Sequence, residues 1–121
     1  MSLAAYKLIH VLSIMLLFTA FGGLLLAARA GVQTGVSRKL AVITHGVALV
    51  LILVSGFGAL AKIGLSNPGI WPGWLWLKAL IWILFGGVIV LIRRAPRSAT
   101  LLWWVLPLLG GLAGYLAIYK P

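Results

Sequence analysis

The sequence predicts an all-α integral membrane protein, folded as a four-helix up-down-up-down antiparallel bundle. Of its 121 residues, 64% are hydrophobic and 8% are charged. A water-soluble domain of this length would carry far more charge on its surface. Four apolar stretches are each long enough to cross a hydrocarbon core as a helix, which takes about 20 residues. Because short polar segments connect them, successive helices are expected to be antiparallel, in one transmembrane domain over residues 1–121.

The first two predicted spans cover residues 3–28 and 40–61. Lys7 and the apolar run behind it have some features of a secretory signal peptide. The run from Val11 to Ala28 is longer than the apolar core of a usual signal peptide, so we interpret it as a membrane span. Residues 29–39 contain glycines and basic residues and form the first turn.

The last two predicted spans cover residues 74–92 and 99–118. Residues 62–73 contain two prolines and three glycines, which is typical of a loop. Residues 93–98 form the shortest turn of the chain. Pro107 lies inside the fourth span and is expected to kink that helix.

Glycines interrupt all four spans and predict close helix packing. Gly110 and Gly114 have the GxxxG spacing that also occurs at helix dimer interfaces. Packing within one bundle is the interpretation we favour for this pair, with a homodimer as the alternative.

The basic residues predict how the bundle is oriented. All five arginines fall in the first and third turns, with one lysine, and the remaining four lysines lie near the other helix ends. Because basic residues concentrate on the cytoplasmic side, we predict that these two turns are cytoplasmic and that both termini lie outside. The aromatic residues expected at the outer boundary agree with this: Tyr6, Trp71, Trp74, Trp76, Tyr115 and Tyr119.

The net charge of +10 does not predict nucleic-acid binding. Most of the cations are at the ends of apolar runs, where they reach the phosphates of lipid headgroups. A nucleic-acid interface would need a solvated basic face instead. The expected partners are therefore the lipid bilayer, and in addition either a larger membrane complex or a second copy of the chain.

The absence of aspartate, glutamate and cysteine excludes several kinds of chemistry. Acid–base catalysis by paired carboxylates and metal cages made of carboxylates both require side chains that the chain lacks. Disulfides, thiolate clusters and covalently attached c-type haem are excluded in the same way. A buried cation in this chain must lose its proton, reach the surface, or find an anion that no side chain supplies.

Three strongly polar side chains lie inside the predicted spans: His10, His45 and Lys78. At 1.5 Å per residue, His10 lies about 10 Å and Lys78 about 7 Å from the same membrane face. The span that carries His45 enters the membrane from the opposite face. In a hydrocarbon core of ~30 Å, His45 therefore lies roughly 12 Å deeper than His10. Two axial nitrogens on one metal are only about 4 Å apart. This disfavours a haem held between the two histidines and favours a site built from His10 and Lys78.

Each of these residues also has a plain structural interpretation. A histidine inside a span can simply form a hydrogen bond to a neighbouring helix, and Lys78 can extend to the interface. If Lys78 stays buried without an acid, the neutral amine is favoured, and it can then ligate a metal or act as a base. If it keeps its proton, it needs an external anion such as a haem propionate, a lipid phosphate or an anionic substrate.

Two short segments resemble known membrane families. Lys7–Val11 (KLIHV) is similar to the K-x-x-H-[VI] opening of several small bacterial membrane proteins. Trp74–Leu80 (WLWLKAL) is similar to their W-L-x-x-K-L segment, with Ala79 in the position of the final leucine. These families are the HemJ-type protoporphyrinogen oxidases, the CopD-like copper-resistance domain and the SirB-like proteins.

The resemblance implies b-type haem. HemJ-type proteins use the matching histidine and lysine around such a haem, which would make His10 and Lys78 axial ligands or residues of the haem site, with His10 on the iron. His45 has no counterpart that we can assign, and we keep it as a third cofactor-binding candidate. The resemblance also implies the bacterial inner membrane.

Three functions follow from these observations. The first is haem b binding, for redox chemistry or haem handling. The second is a non-catalytic accessory subunit of a larger respiratory or photosynthetic complex, which small size and the lack of a soluble part favour. The third is a small dimeric transporter of anions or neutral solutes. No catalytic residue is assigned, and the sequence leaves open whether the chain is an enzyme.

Overall fold

A computed structural model describes residues 1–32 and 34–120, which form four α-helices. All four helices are long and apolar enough to cross a membrane. This confirms the prediction of an all-α transmembrane bundle of four helices, and the chain is a small integral membrane protein. The helices are α1 (Leu3–Arg29), α2 (Val36–Lys62), α3 (Gly73–Arg94) and α4 (Ala99–Tyr119).

The helix boundaries differ from the predicted spans mainly at the start of α2. That helix begins at Val36 rather than at residue 40, so Arg38 and Lys39 are helical. Gly35 precedes it with a φ of 106°, a conformation that glycine adopts without strain. The predicted span began at the first apolar run and therefore missed the polar first turn. α4 continues from Ala99 to Tyr119 through Pro107, and its predicted kink stays a prediction.

The closest helix pair is α1 with α2. Near one end Tyr6 of α1 lies against Gly58 of α2, and near the other end Gly23 lies against Ala41. Since the residue number falls along α2 as it rises along α1, the two helices are antiparallel. Small residues at both contacts let the backbones approach closely.

Helix α1 also packs against α3 and α4, and α3 packs against α2 and α4. In the described part of the chain, the backbones of α2 and α4 do not approach each other closely. The α2–α3 contact is made through side chains that donate to backbone carbonyls of the facing helix. His45 of α2 meets Phe85 of α3, and Trp82 of α3 meets Leu49 of α2. This register is also antiparallel. The up-down-up-down order across a membrane stays a prediction.

Three phenylalanines form the centre of the core. Phe18 and Phe21 of α1 meet Phe85 of α3, with all three ring centroids 5.5–5.6 Å apart in edge-on arrangements. Such aromatic pairs each contribute about 0.5–1.5 kcal/mol beyond the burial of their area. The cluster therefore fixes α1 against α3 near the middle of the bundle.

The basic residues are divided between the two ends of the bundle. The charge of Arg38 in α2 interacts with that of Arg93 in α3, and Arg29 lies beside the start of α4. We call this end the arginine end; it carries Arg29, Arg38, Lys39, Arg93, Arg94 and Arg97. We call the opposite end the lysine end; it carries Lys7, Lys62, Lys78 and Lys120.

Of the glycine pair predicted to pack within the bundle, Gly110 lies against Phe18, whereas Gly114 has open space at its Cβ position. The packing of Gly110 can be tested against its neighbour Gly111. A Cβ at Gly110 would lie 2.7 Å from Cζ of Phe18, whose ring is held by Phe21 and Phe85. We expect Gly110→Ala to destabilise the fold by about 1–3 kcal/mol through overpacking. Gly111 has open space at its Cβ position, so Gly111→Ala should gain about 0.5–1 kcal/mol from helix propensity.

The measurement is the thermal unfolding midpoint of each purified variant in detergent. We expect Gly110→Ala to melt below the wild type and Gly111→Ala at or above it. Equal midpoints for the two variants would show that α4 does not pack on Phe18 in this register.

Candidate functional site

His10 is held against α2 by a single ring N–H that two acceptors share. Its Nδ1 lies 3.0 Å from the carbonyl oxygen of Ile52 and 3.0 Å from Oγ of Ser55. A Cβ built on Gly56 would lie 3.3 Å from Cε1 of the ring, so the Nδ1–Cε1 edge faces α2. The glycine lets the imidazole lie close to the backbone of α2. The ring position is therefore fixed by three residues within two turns of that helix.

These contacts determine which nitrogen carries the proton. A carbonyl oxygen only accepts, so Nδ1 must donate to Ile52. The Ser55 hydroxyl donates to the carbonyl of Leu51 at 2.6 Å, which leaves its oxygen free to accept from His10. The lone pair of the neutral ring is then on Nε2. Histidines that ligate metals are commonly arranged in this way, with the second nitrogen donating to a carbonyl or a similar acceptor.

Lys78 lies near His10, at the lysine end of the bundle. It is half-buried in the second turn of α3, and its charge is close enough to act on the His10 ring. The charge of Lys120 acts in turn on Lys78. No acidic side chain exists in the chain to offset these cations. The two residues that the depth estimate placed at one level therefore lie at the same end of the bundle, and a site built from both stays a prediction.

His45 occupies a different place. It is 4% exposed, its Nε2 donates to the carbonyl of Phe85 at 2.9 Å, and its ring lies 5.4 Å from that of Phe21. Along α2 it is seven to eleven residues from the segment that His10 contacts, which corresponds to about 10–16 Å. The geometry corresponds to a histidine that fastens α2 to α3. A role of His45 in binding a cofactor stays a prediction.

The small hydroxyl residues inside the helices bond to the backbone of their own helix. Ser13 and Thr19 in α1, and Thr44 in α2, each donate to the carbonyl four residues earlier, at 2.7–2.9 Å. Ser55 does the same and also accepts from His10. The position of Ser55 opposite His10 depends on how α1 is rotated against α2, which the sequence alone does not determine.

One candidate residue was missed by the sequence reasoning. Arg38 is 5% exposed, and its three guanidinium nitrogens are buried with no hydrogen-bond partner in residues 1–32 and 34–120. The sequence placed it in a solvated turn because the second span was predicted to begin two residues later. Continuing the helix back to Gly35 would have shown that Arg38 belongs to α2.

Comparison with known proteins assigns neither a family nor a function to the chain. No protein-family model, no curated protein and no solved structure matches the chain. The resemblance of the two short segments to small bacterial membrane families is therefore carried by those residues alone and stays a prediction.

The tautomers of the two histidines can be tested directly. We expect His10 to carry its proton on Nδ1, because that atom faces the Ile52 carbonyl, and His45 to carry its proton on Nε2, because that atom faces Phe85. Nitrogen NMR of protein labelled with ¹⁵N-histidine distinguishes the two forms, and His45→Gln assigns the signals. Finding His10 protonated on Nε2 would contradict the contacts described for α1 and α2.

Proposed function

We propose that this protein binds b-type haem at the lysine end of the bundle, with Nε2 of His10 on the iron, and serves redox chemistry or haem handling. The observation that carries the proposal is the orientation of His10. Its Nδ1–H is bonded to α2, its Nε2 keeps the lone pair, and Lys78 is its charged neighbour.

The donor set of the chain fits haem better than it fits a bare metal ion. The chain has two histidines and no cysteine, aspartate or glutamate. Among the residues described, no three such side chains come together to hold an ion. A porphyrin supplies the equatorial ligands of its iron itself, so the protein needs to add only one or two axial ligands. When bound, haem would supply one-electron chemistry that the side chains lack.

Lys78 supports the same proposal through its charge. As an ammonium group without an acidic side chain nearby, it favours an anion, and the propionates of haem are anions. As a neutral amine it would be a second axial ligand. The two roles differ in the spectrum expected after substitution, so Lys78 is informative in the same experiment.

The test is haem titration of the purified full-length protein in detergent. We expect a Soret band that saturates at one haem per chain, that His10→Ala abolishes, and that added imidazole restores by filling the vacated space. Lys78→Met should weaken haem binding about tenfold or more, which is the usual cost of losing a supporting group. Lys62→Met is the matched control: it removes an exposed lysine at the same end and should leave the titration unchanged.

The spectrum separates the two roles of Lys78. A change of iron spin state in Lys78→Met indicates an axial ligand, whereas weaker binding with an unchanged spectrum indicates contact with a propionate. A wild-type protein that takes up no haem would contradict the proposal. The accessory-subunit and transporter functions would then be the remaining alternatives.

We further propose that the protein resides in a bacterial inner membrane with both termini outside and the arginine end in the cytoplasm. The division of charge supports this orientation, since all five arginines and Lys39 share one end. Two exposed tryptophans near the start of α4, Trp103 and Trp104, fit the headgroup level at that end.

The absence of cysteine makes this orientation simple to test. Thr34 lies in the turn between α1 and α2, and Ser66 lies in the loop between α2 and α3; both are exposed. We expect a membrane-impermeant maleimide to label Ser66→Cys in intact cells and Thr34→Cys only after permeabilisation. The reverse labelling pattern would contradict the proposed orientation.

A further inference from the structure

Arg38 is a charged side chain that is buried without a partner. It is 5% exposed, and Nε, Nη1 and Nη2 all lack a hydrogen-bond partner within residues 1–32 and 34–120. A guanidinium group has five N–H donors and cannot lose its charge in a protein. Burying such a group without an acceptor is strongly unfavourable. The buried guanidinium group of Arg38 therefore needs a hydrogen-bond acceptor.

No side chain of the protein is an acid that could meet this requirement. It contains no aspartate and no glutamate, so a second copy of the chain would also bring no acidic side chain. The charge of Arg93 acts on Arg38, and it has the same sign. Two guanidinium groups at one end of the bundle, whose charges act on each other, favour an anion that both could contact.

Other features of the arginine end also favour an anion. Gly35 gives the N-terminus of α2 no side-chain cap, and the first turn of that helix contains no acidic residue. The free N–H groups and the helix dipole there attract negative charge. A groove of about 220 Å³ is open beside Arg93 and is lined by Ile89, Val90 and Arg94 as well. The lining of the groove therefore combines two arginines with two apolar side chains, all from α3.

We propose that Arg38 and Arg93 form a binding site for a phosphate group, which we call the Arg38–Arg93 site. The fork of a guanidinium group matches the oxygens of phosphate in a bidentate geometry. The phosphate comes either from a phospholipid headgroup, whose acyl chains would follow the apolar wall of the groove, or from a soluble phosphate. This site is independent of the proposed haem site, which is at the opposite end of the bundle.

The test uses the purified full-length protein in a phosphate-free neutral detergent with about 150 mM sodium chloride, which screens diffuse charge beyond about 8 Å. Three probes are compared: dioleoyl phosphatidic acid, the matching diacylglycerol without phosphate, and inorganic phosphate. Binding is measured by native mass spectrometry and by the shift of the thermal unfolding midpoint. Arg38→Gln removes the buried guanidinium, and Arg97→Gln removes an exposed one from the same end as the matched control.

We expect one phosphate-bearing ligand per chain and no binding of diacylglycerol. Arg38→Gln should weaken binding about tenfold or more, as expected for hydrogen bonds to a charged group, and Arg97→Gln should change it less than about twofold. Without ligand, Arg38→Gln should melt no lower than the wild type, because the variant lacks the unpaired charge. Phosphatidic acid should then stabilise the wild type and not the variant. Competition by inorganic phosphate at equal concentration would identify a soluble phosphate as the source, and its failure to compete would identify a lipid.

Two results would overturn the proposal. One is the absence of any phosphate-dependent binding or stabilisation of the wild type, which would leave the carboxylate of a partner protein as the candidate for Arg38. The other is an equal loss of binding in Arg38→Gln and Arg97→Gln, which would indicate diffuse charge at the membrane surface. If Arg38→Gln fails to fold, Arg93→Gln replaces it, and the wild-type comparison of phosphatidic acid with diacylglycerol still decides the outcome.

Discussion

The chain places polar side chains inside an apolar bundle without a single acidic side chain to pair them. Every buried donor must therefore find an oxygen on the backbone, a hydroxyl group, or an atom from outside the protein. Three donors are satisfied across helix interfaces: His10 by Ile52 and Ser55, His45 by Phe85, and Trp82 by Leu49. A helix carbonyl has a second lone pair beside the one used in the helix, and these contacts use it. The bundle is thus held together by side chains donating to the backbone of a facing helix, together with the packing of Phe18, Phe21 and Phe85.

Two polar side chains keep bonding capacity that these contacts do not use, His10 and Arg38, and they lie at opposite ends of the bundle. At the lysine end, the bonds that orient His10 leave its Nε2 with a lone pair, beside the positive charge of Lys78. At the arginine end, Arg38 is buried with no acceptor in the described part of the chain. The first group is a potential ligand for a metal centre, and the second is a potential donor to an anion. Neither arrangement is needed to pack four helices, which is why both are candidates for function.

Much of the fold could be predicted from the sequence, because the apolar length of each span directly reflects the thickness of the membrane core. The depth of a residue in the membrane follows from the same count of residues. This count predicted that His10 and Lys78 lie at a similar depth. The partners of these residues could not be predicted in this way. In a helix that is apolar on all sides, no amphipathic stripe identifies the face that turns inward. That Ser55 meets His10, or that Gly110 meets Phe18, depends on helix rotation, which single-sequence patterns leave undetermined. Arg38 was missed for a different reason, since a polar first turn does not resemble a membrane span.

An electron cryomicroscopy structure of the protein in nanodiscs that contain phospholipid and haem would test the central claim most directly. The claim is that two kinds of nitrogen atom mark the places where external groups bind: the lone pair of His10 Nε2, and the guanidinium donors of Arg38 that lack an acceptor. We expect non-protein density against Nε2 of His10 and against the guanidinium group of Arg38. Density at neither position, with Nε2 of His10 and the guanidinium group of Arg38 both hydrogen-bonded within the protein instead, would contradict this account.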